Sequence, residues 1–192
     1  HGASVEARGQ ARAYAAHPDL FIVAPTNRRP FGFDWEDWGR LDALEVLADA
    51  QRRFPIDPTR IYLTGHSMGG HGSWHLGVTY PDRFAAVAPS AGWASLFGYG
   101  RLSRRTEGEG PEALVSRGLL PSETSRLLPN LLETPVYVLH GDADRNVPVR
   151  EARQLVSQLR ELGHEDLAYT EQPGAGHWWD ADRDAAGSDC VD

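Results

Sequence analysis

Cysteine is nearly absent from this chain. Cys190 is the only one in 192 residues, so no disulfide can form within it. Long hydrophobic runs are missing too. None approaches the roughly 18 apolar residues of a membrane-spanning helix, and the first residues show no signal-peptide core. Nor is there a basic surface of any extent. Arg28-Arg29 and Arg104-Arg105 are isolated pairs in a chain of net charge −8, which excludes an interface that follows nucleic-acid phosphates. No repeats appear. What remains is ordinary globular composition, 41% hydrophobic and 24% charged, at a length that suits one core rather than two.

Short apolar runs alternate with helical patterns, the signature of a parallel sheet wrapped by helices. The runs Leu20 to Ala24, Arg60 to Thr64, Phe84 to Ala88, Val136 to His140 and Leu167 to Glu171 are expected strands suited to burial on both faces. Between them, Asp34 and Asp37 resemble a capping pair for a helix reaching Arg53, with Trp35, Trp38, Leu41, Leu44 and Leu47 on its apolar stripe and Pro55 beyond its end. A second helix is expected to open at Pro148, carry Val149, Ala152, Leu155, Val156, Leu159 and Leu162 inward, and stop at Gly163. Residues 92–133 break this rhythm. Rich in Gly and Pro at first, then charged in "SRRTEGEGPE", they are expected to form a cap or substrate-shaping insert within a single domain spanning 1–192.

The chemistry starts at "YLTGHSMGGHGSW". A strand is expected before Gly65-His66-Ser67-Met68-Gly69-Gly70 and a helix, His71 to Tyr80, after it. A nucleophile on a sharp strand-to-helix turn needs small neighbours two residues to either side, and Gly65 and Gly69 meet that requirement. The turn lifts the Ser67 hydroxyl clear of the sheet and sets it at a helix N-terminus, whose field favours developing negative charge. A bare G-x-S-x-G is a weak signal; the strand before it and the helix after it make it a strong one.

Serine alone is a poor nucleophile and needs a base and an orienting acid. Two later strands end in loops that supply them. "VYVLHGDADRNVPV" offers Asp142 and Asp144, between which spacing does not choose, and "YTEQPGAGHWWD" offers His177. Both loops lie at strand C-terminal ends, the edge where an open parallel sheet gathers its site.

With these motifs the chain resembles the α/β-hydrolase superfamily, in the branch of prolyl oligopeptidase-type peptidases, feruloyl esterases and polyhydroxybutyrate-depolymerase-like esterases. The resemblance covers nearly the whole chain and rests on "HGA" at its start, "DPTRIYLTGHSMGG", "LHGDADRNVPV" and "GAGHWW". It implies a doubly wound, mostly parallel sheet with flanking helices, and within H-G-x-x-D-x-x-V-P it assigns the acid to Asp144, leaving Asp142 to cap the turn. It also implies an oxyanion hole made by the backbone N–H groups of Met68 and of Ala3, or Ser4 beside it. The chain reads as a piece of a longer protein, without its first strands and part of its C-terminal region. An extracellular or periplasmic setting is expected by resemblance.

The other histidines and the tryptophans read mostly as packing. His71 and His75 have the four-residue spacing of two zinc ligands on a helix, but Gly72 stands where a metalloprotease has its glutamate and no third ligand is evident in sequence, so no metal role is expected. His66 and His140 are expected inside, His17 and His164 at the surface. Trp35, Trp38 and Trp74 are expected in helix packing, whereas Trp178 and Trp179, directly after His177, and Trp93, just past a strand end, are candidates for an aromatic wall beside a sugar, a phenolic acyl group or an apolar side chain, with plain packing under the loop the alternative for Trp179. The expected activity is hydrolysis of a small-molecule or polymer-linked carboxylic ester through an acyl-enzyme, with no metal or organic cofactor. A prolyl oligopeptidase-type peptidase and a non-catalytic binding module on the same fold are the rival readings.

Overall fold

Four of the five expected strands form a ladder, in a computed structural model that describes residues 7–28, 34–95 and 110–179. They are β1 (Tyr62–His66), β2 (Ala86–Ser90), β3 (Val136–Gly141) and β4 (Leu167–Gln172). All pair in parallel in the order β1-β2-β3-β4, with Tyr62 beside Ala86, Val87 beside Val136 and Val136 beside Leu167. The helices are α1 (Ala7–Ala13), α2 (Asp37–Arg53), α3 (Met68–Thr79), α4 (Pro111–Gly118), α5 (Thr124–Leu127) and α6 (Arg150–Glu161). The run Leu20 to Ala24 departs from expectation. A strand exists only where its backbone groups find a ladder partner, and this run joins none of the described strands; Leu20 and Phe21 are each 52% exposed.

The α2 stripe is also corrected. Residues spaced by three step about 60° backwards round a helix at each repeat, so five of them wind across most of its circumference instead of holding one face. Accordingly Trp38 and Leu41 are exposed, and the buried positions are Gly39, Asp42 and Ala50. The Asp34 carboxylate caps nothing on α2; it accepts from the N–H of Trp35 at 2.8 Å, and the helix begins at Asp37 without a side-chain cap. Its end is as expected, with Phe54 extended before Pro55.

Helix α6 behaves as its pattern predicts. Ala152, Leu155, Val156 and Leu159 are buried against Val136 and Val138 of β3, and Gly163 takes φ +82° just past the C-terminus, where a side chain would be strained. Leu162 alone of the stripe is exposed. On α3, Trp74 and Val78 enter the same core, together with Leu128 and Leu131 from the end of the 92–133 segment. That part of the expected cap is therefore integral to the body of the domain. His164 corrects another expectation: it is buried, and its Nε2 lies 3.0 Å from the carbonyl of Thr134.

Candidate active site

The turn from β1 into α3 carries Ser67 in a conformation that non-glycine residues rarely adopt, φ 59° and ψ −115°. The Ser67 N–H donates to the carbonyl of Ser90 at 2.9 Å, tying the turn to the end of β2. Close backbone approach explains the flanking glycines, though not the pair expected. A Cβ on Gly65 would lie 2.5 Å from the Gly69 carbonyl oxygen, and one on Gly70 would lie 2.2 Å from that of Ser90. At Gly69 a Cβ would meet nothing within 4 Å. The steric demand thus falls on positions 65 and 70.

Loops after β3 and β4 bring the other two groups to Ser67. His177 Nε2 lies 2.9 Å from Ser67 Oγ, and His177 Nδ1 lies 2.7 Å from Asp144 Oδ2. All three residues are buried. The second Asp144 oxygen, Oδ1, accepts from the N–H groups of Asn146 and Val147, each at 2.8 Å. Asp142 is exposed, and its Oδ1 accepts from the N–H of Gly174 at 2.6 Å. It pins the β4 loop that carries His177 and makes no described contact with the imidazole.

Sequence reasoning placed His140 inside but missed its neighbour. Its Nε2 stands 2.9 Å from the Val147 carbonyl, which can only accept, so that nitrogen carries the proton; it is also 3.4 Å from Asp144 Oδ2. Burial opposes ionisation of Asp144, but hydrogen bonds from His140, His177 and Val147 outweigh it and hold the carboxyl well below the usual carboxylate range. His66 follows the opposite rule. Burial, reinforced by repulsion from His177, pushes it down to about 3, so it is neutral beside the site. Its Nδ1 lies 3.0 Å from Ser90 Oγ.

Of the three aromatic-wall candidates, Trp178 is 39% exposed, with its ring edge-on to His177 at 4.9 Å and 4.7 Å from the ring of His66. Trp93 is 5% exposed and stacks flat on His71 at 5.1 Å, so protein already covers it. Trp179 is buried with the core. Met68 is the first residue of α3, where a backbone N–H has no intrahelical acceptor. Ala3 and Ser4, the expected second donors, lie outside the described residues.

Residues 28–188 match the model of the prolyl oligopeptidase family. The chain belongs to that family. Among curated relatives, Esterase LipC of Mycobacterium tuberculosis is 29% identical over 93% of this chain and 48% of its own length. The acylamino-acid-releasing enzyme of Arabidopsis thaliana is 35% identical over 65% of this chain and 18% of its own. The crystal structure of a thermostable esterase superposes with a TM-score of 0.54 at 27% identity, covering 72% of this chain and 29% of that one. The chain therefore spans less than half the length of these relatives. The four-stranded parallel sheet with its flanking helices is the α/β-hydrolase fold they share.

Proposed function

We propose that this prolyl oligopeptidase-family chain is a serine hydrolase in which Ser67 is the nucleophile, His177 the base and Asp144 the orienting acid. One observation carries the reading: an unbroken path from Asp144 Oδ2 through both ring nitrogens of His177 to Ser67 Oγ, with links of 2.7 and 2.9 Å. Asp144 accepts a hydrogen bond from the Nδ1–H, which keeps the proton on Nδ1 and leaves the Nε2 lone pair facing the hydroxyl. His177 takes the Ser67 proton as Oγ attacks a carbonyl carbon, and Asp144 stabilises the resulting imidazolium. The N–H of Met68, with that of Ala3, binds the oxyanion. His177 then protonates the leaving group, and water repeats the cycle on the acyl-enzyme. Neutral His66 adds no competing positive charge next to the imidazolium.

The substrate is proposed to be a carboxylic ester, with Trp178 as the wall beside its acyl or alcohol group. Kinship with an esterase over nearly the whole chain supports this. The acylamino-acid-releasing relative supports the rival reading, an amide at a blocked peptide N-terminus. Assay of the full-length protein on p-nitrophenyl esters, hydroxycinnamoyl esters and acylaminoacyl anilides separates them. Efficiency on esters should exceed that on anilides by at least about 100-fold, and the opposite ranking would transfer the site to peptidase chemistry.

A further inference from the structure

The packing of the turn before α2 against α3 assembles a polar cluster that the triad does not use. Trp35 lies so close over Gly72 that a Cβ there would stand 2.2 Å from the indole ring, and this contact brings Asp34 and Glu36 to His71. His71 Nε2 is 3.2 Å from Glu36 Oε1 and 3.8 Å from Asp34 Oδ2, and one ligand atom from each residue lies within 4.8 Å of the others. The side chains are 0% exposed for His71, 4% for Asp34 and 15% for Glu36.

The hydrogen bonds leave this cluster short of positive charge. His71 Nδ1 lies 2.9 Å from the Trp93 carbonyl, so Nδ1 must carry a proton. If Nε2 is protonated as well, it satisfies Glu36 alone, because 3.8 Å is beyond hydrogen-bond reach of Asp34. Asp34 Oδ2 would then be a buried carboxylate oxygen with no hydrogen-bond partner, 3.8 Å from the one imidazolium that two carboxylates share. If Nε2 presents its lone pair, all three groups converge as donors. A ring Nδ1–H held by a backbone carbonyl, with Nε2 directed inward, is the way proteins fix a metal-binding imidazole.

We propose that Asp34, Glu36 and His71 bind one divalent cation of the zinc class as a structural brace behind the nucleophile elbow. One imidazole and two carboxylates suit Zn²⁺ or a neighbouring first-row ion. Donors about 2.1 Å from one ion and about 100–130° apart would be separated by roughly 3.2–3.8 Å, the span of the two contacts to His71. The third pair of ligand atoms, on Asp34 and Glu36, lies within 4.8 Å, and a fourth donor would be water. The ion would neutralise both carboxylates and give Asp34 Oδ2 its partner. Because the His71 N–H donates to the Ser67 carbonyl at 3.0 Å, the brace would reach the elbow through backbone.

The test uses the full-length protein stripped by a chelator, dialysed, and titrated with Zn²⁺ and separately with Co²⁺. One equivalent should bind, raise the thermal midpoint by several degrees, and with Co²⁺ give visible d–d absorption. Asp34→Asn and Glu36→Gln keep side-chain shape and should each weaken binding at least tenfold, whereas His177→Asn should leave it unchanged. Should Asp34→Asn fold poorly, the half-buried Glu36→Gln decides. Failure of wild-type protein to bind either ion stoichiometrically overturns the proposal, as does undiminished binding in Glu36→Gln or binding lost in His177→Asn.

Discussion

Asp142 and Asp144 stand two residues apart in one loop and hold the β4 loop at different points: Asp144 Oδ2 meets His177 Nδ1, while Asp142 Oδ1 meets the N–H of Gly174. The first is buried and bonded on both oxygens; the second is exposed. Their replacement should separate accordingly. Asp144→Asn should lower kcat by about 10⁴-fold through loss of the His177 tautomer. Asp142→Asn keeps an acceptor oxygen for Gly174 and should cost less than about tenfold. Steady-state kinetics on one ester decides, and reversed effects would move the acid to Asp142.

Ser67→Ala should remove both turnover and covalent labelling by a fluorophosphonate while the circular dichroism spectrum is kept. Labelling that persists in the mutant would place the nucleophile elsewhere.

Trp178 presents an accessible face beside His177 and His66. Truncation to Ala should remove about 1.5–3 kcal/mol of contact with a substrate that covers the ring, a loss of roughly tenfold or more in kcat/KM for hydroxycinnamoyl or sugar-linked esters. p-Nitrophenyl acetate is too small to reach it and should be hydrolysed nearly as before. Equal losses on both substrates, with a lowered melting point, would make Trp178 a packing residue.

The glycines of the elbow should differ in stability. Gly70→Ala forces a Cβ against the backbone of Ser90 and Gly92 and should destabilise by about 2 kcal/mol or more, whereas Gly69→Ala enters open space inside α3 and should be neutral or stabilise by up to about 1 kcal/mol. Urea denaturation of both mutants reads the difference directly.

Acid should weaken the fold before carboxylates titrate. Burial lowers His66 to about 3 and His75 to about 4. Between these values and the ordinary histidine pKa of about 6.5, the unfolded chain binds protons that the folded chain refuses, so stability falls as pH falls through that window. The slope is at most about 1.4 kcal/mol per pH unit for each histidine. Urea midpoints at pH 7 and pH 5 measure it, and His75→Asn should flatten it. Unchanged midpoints would show that these rings are not buried neutral.

Local chemistry made the core of this protein legible from sequence. β-branched and apolar runs bounded by turns marked four strands, the 3.6-residue period of α6 marked its buried face, and strand, glycine turn and helix around Ser67 marked the elbow. These signals lie within a dozen residues, where backbone geometry and side-chain spacing are enough. Tertiary structure decided the rest, because it depends on which distant segments meet. The Gly65 and Gly70 contacts arise from backbone that folds back on itself. Trp93 became a covered ring because α3 sets His71 beneath it, and His140 gained its contact with Asp144 only when the β3 loop curled over its own strand. The pairing of His71 with Asp34 and Glu36 spans 35 residues or more. No periodicity records it, since it follows from Trp35, in the turn before α2, packing on a glycine of α3.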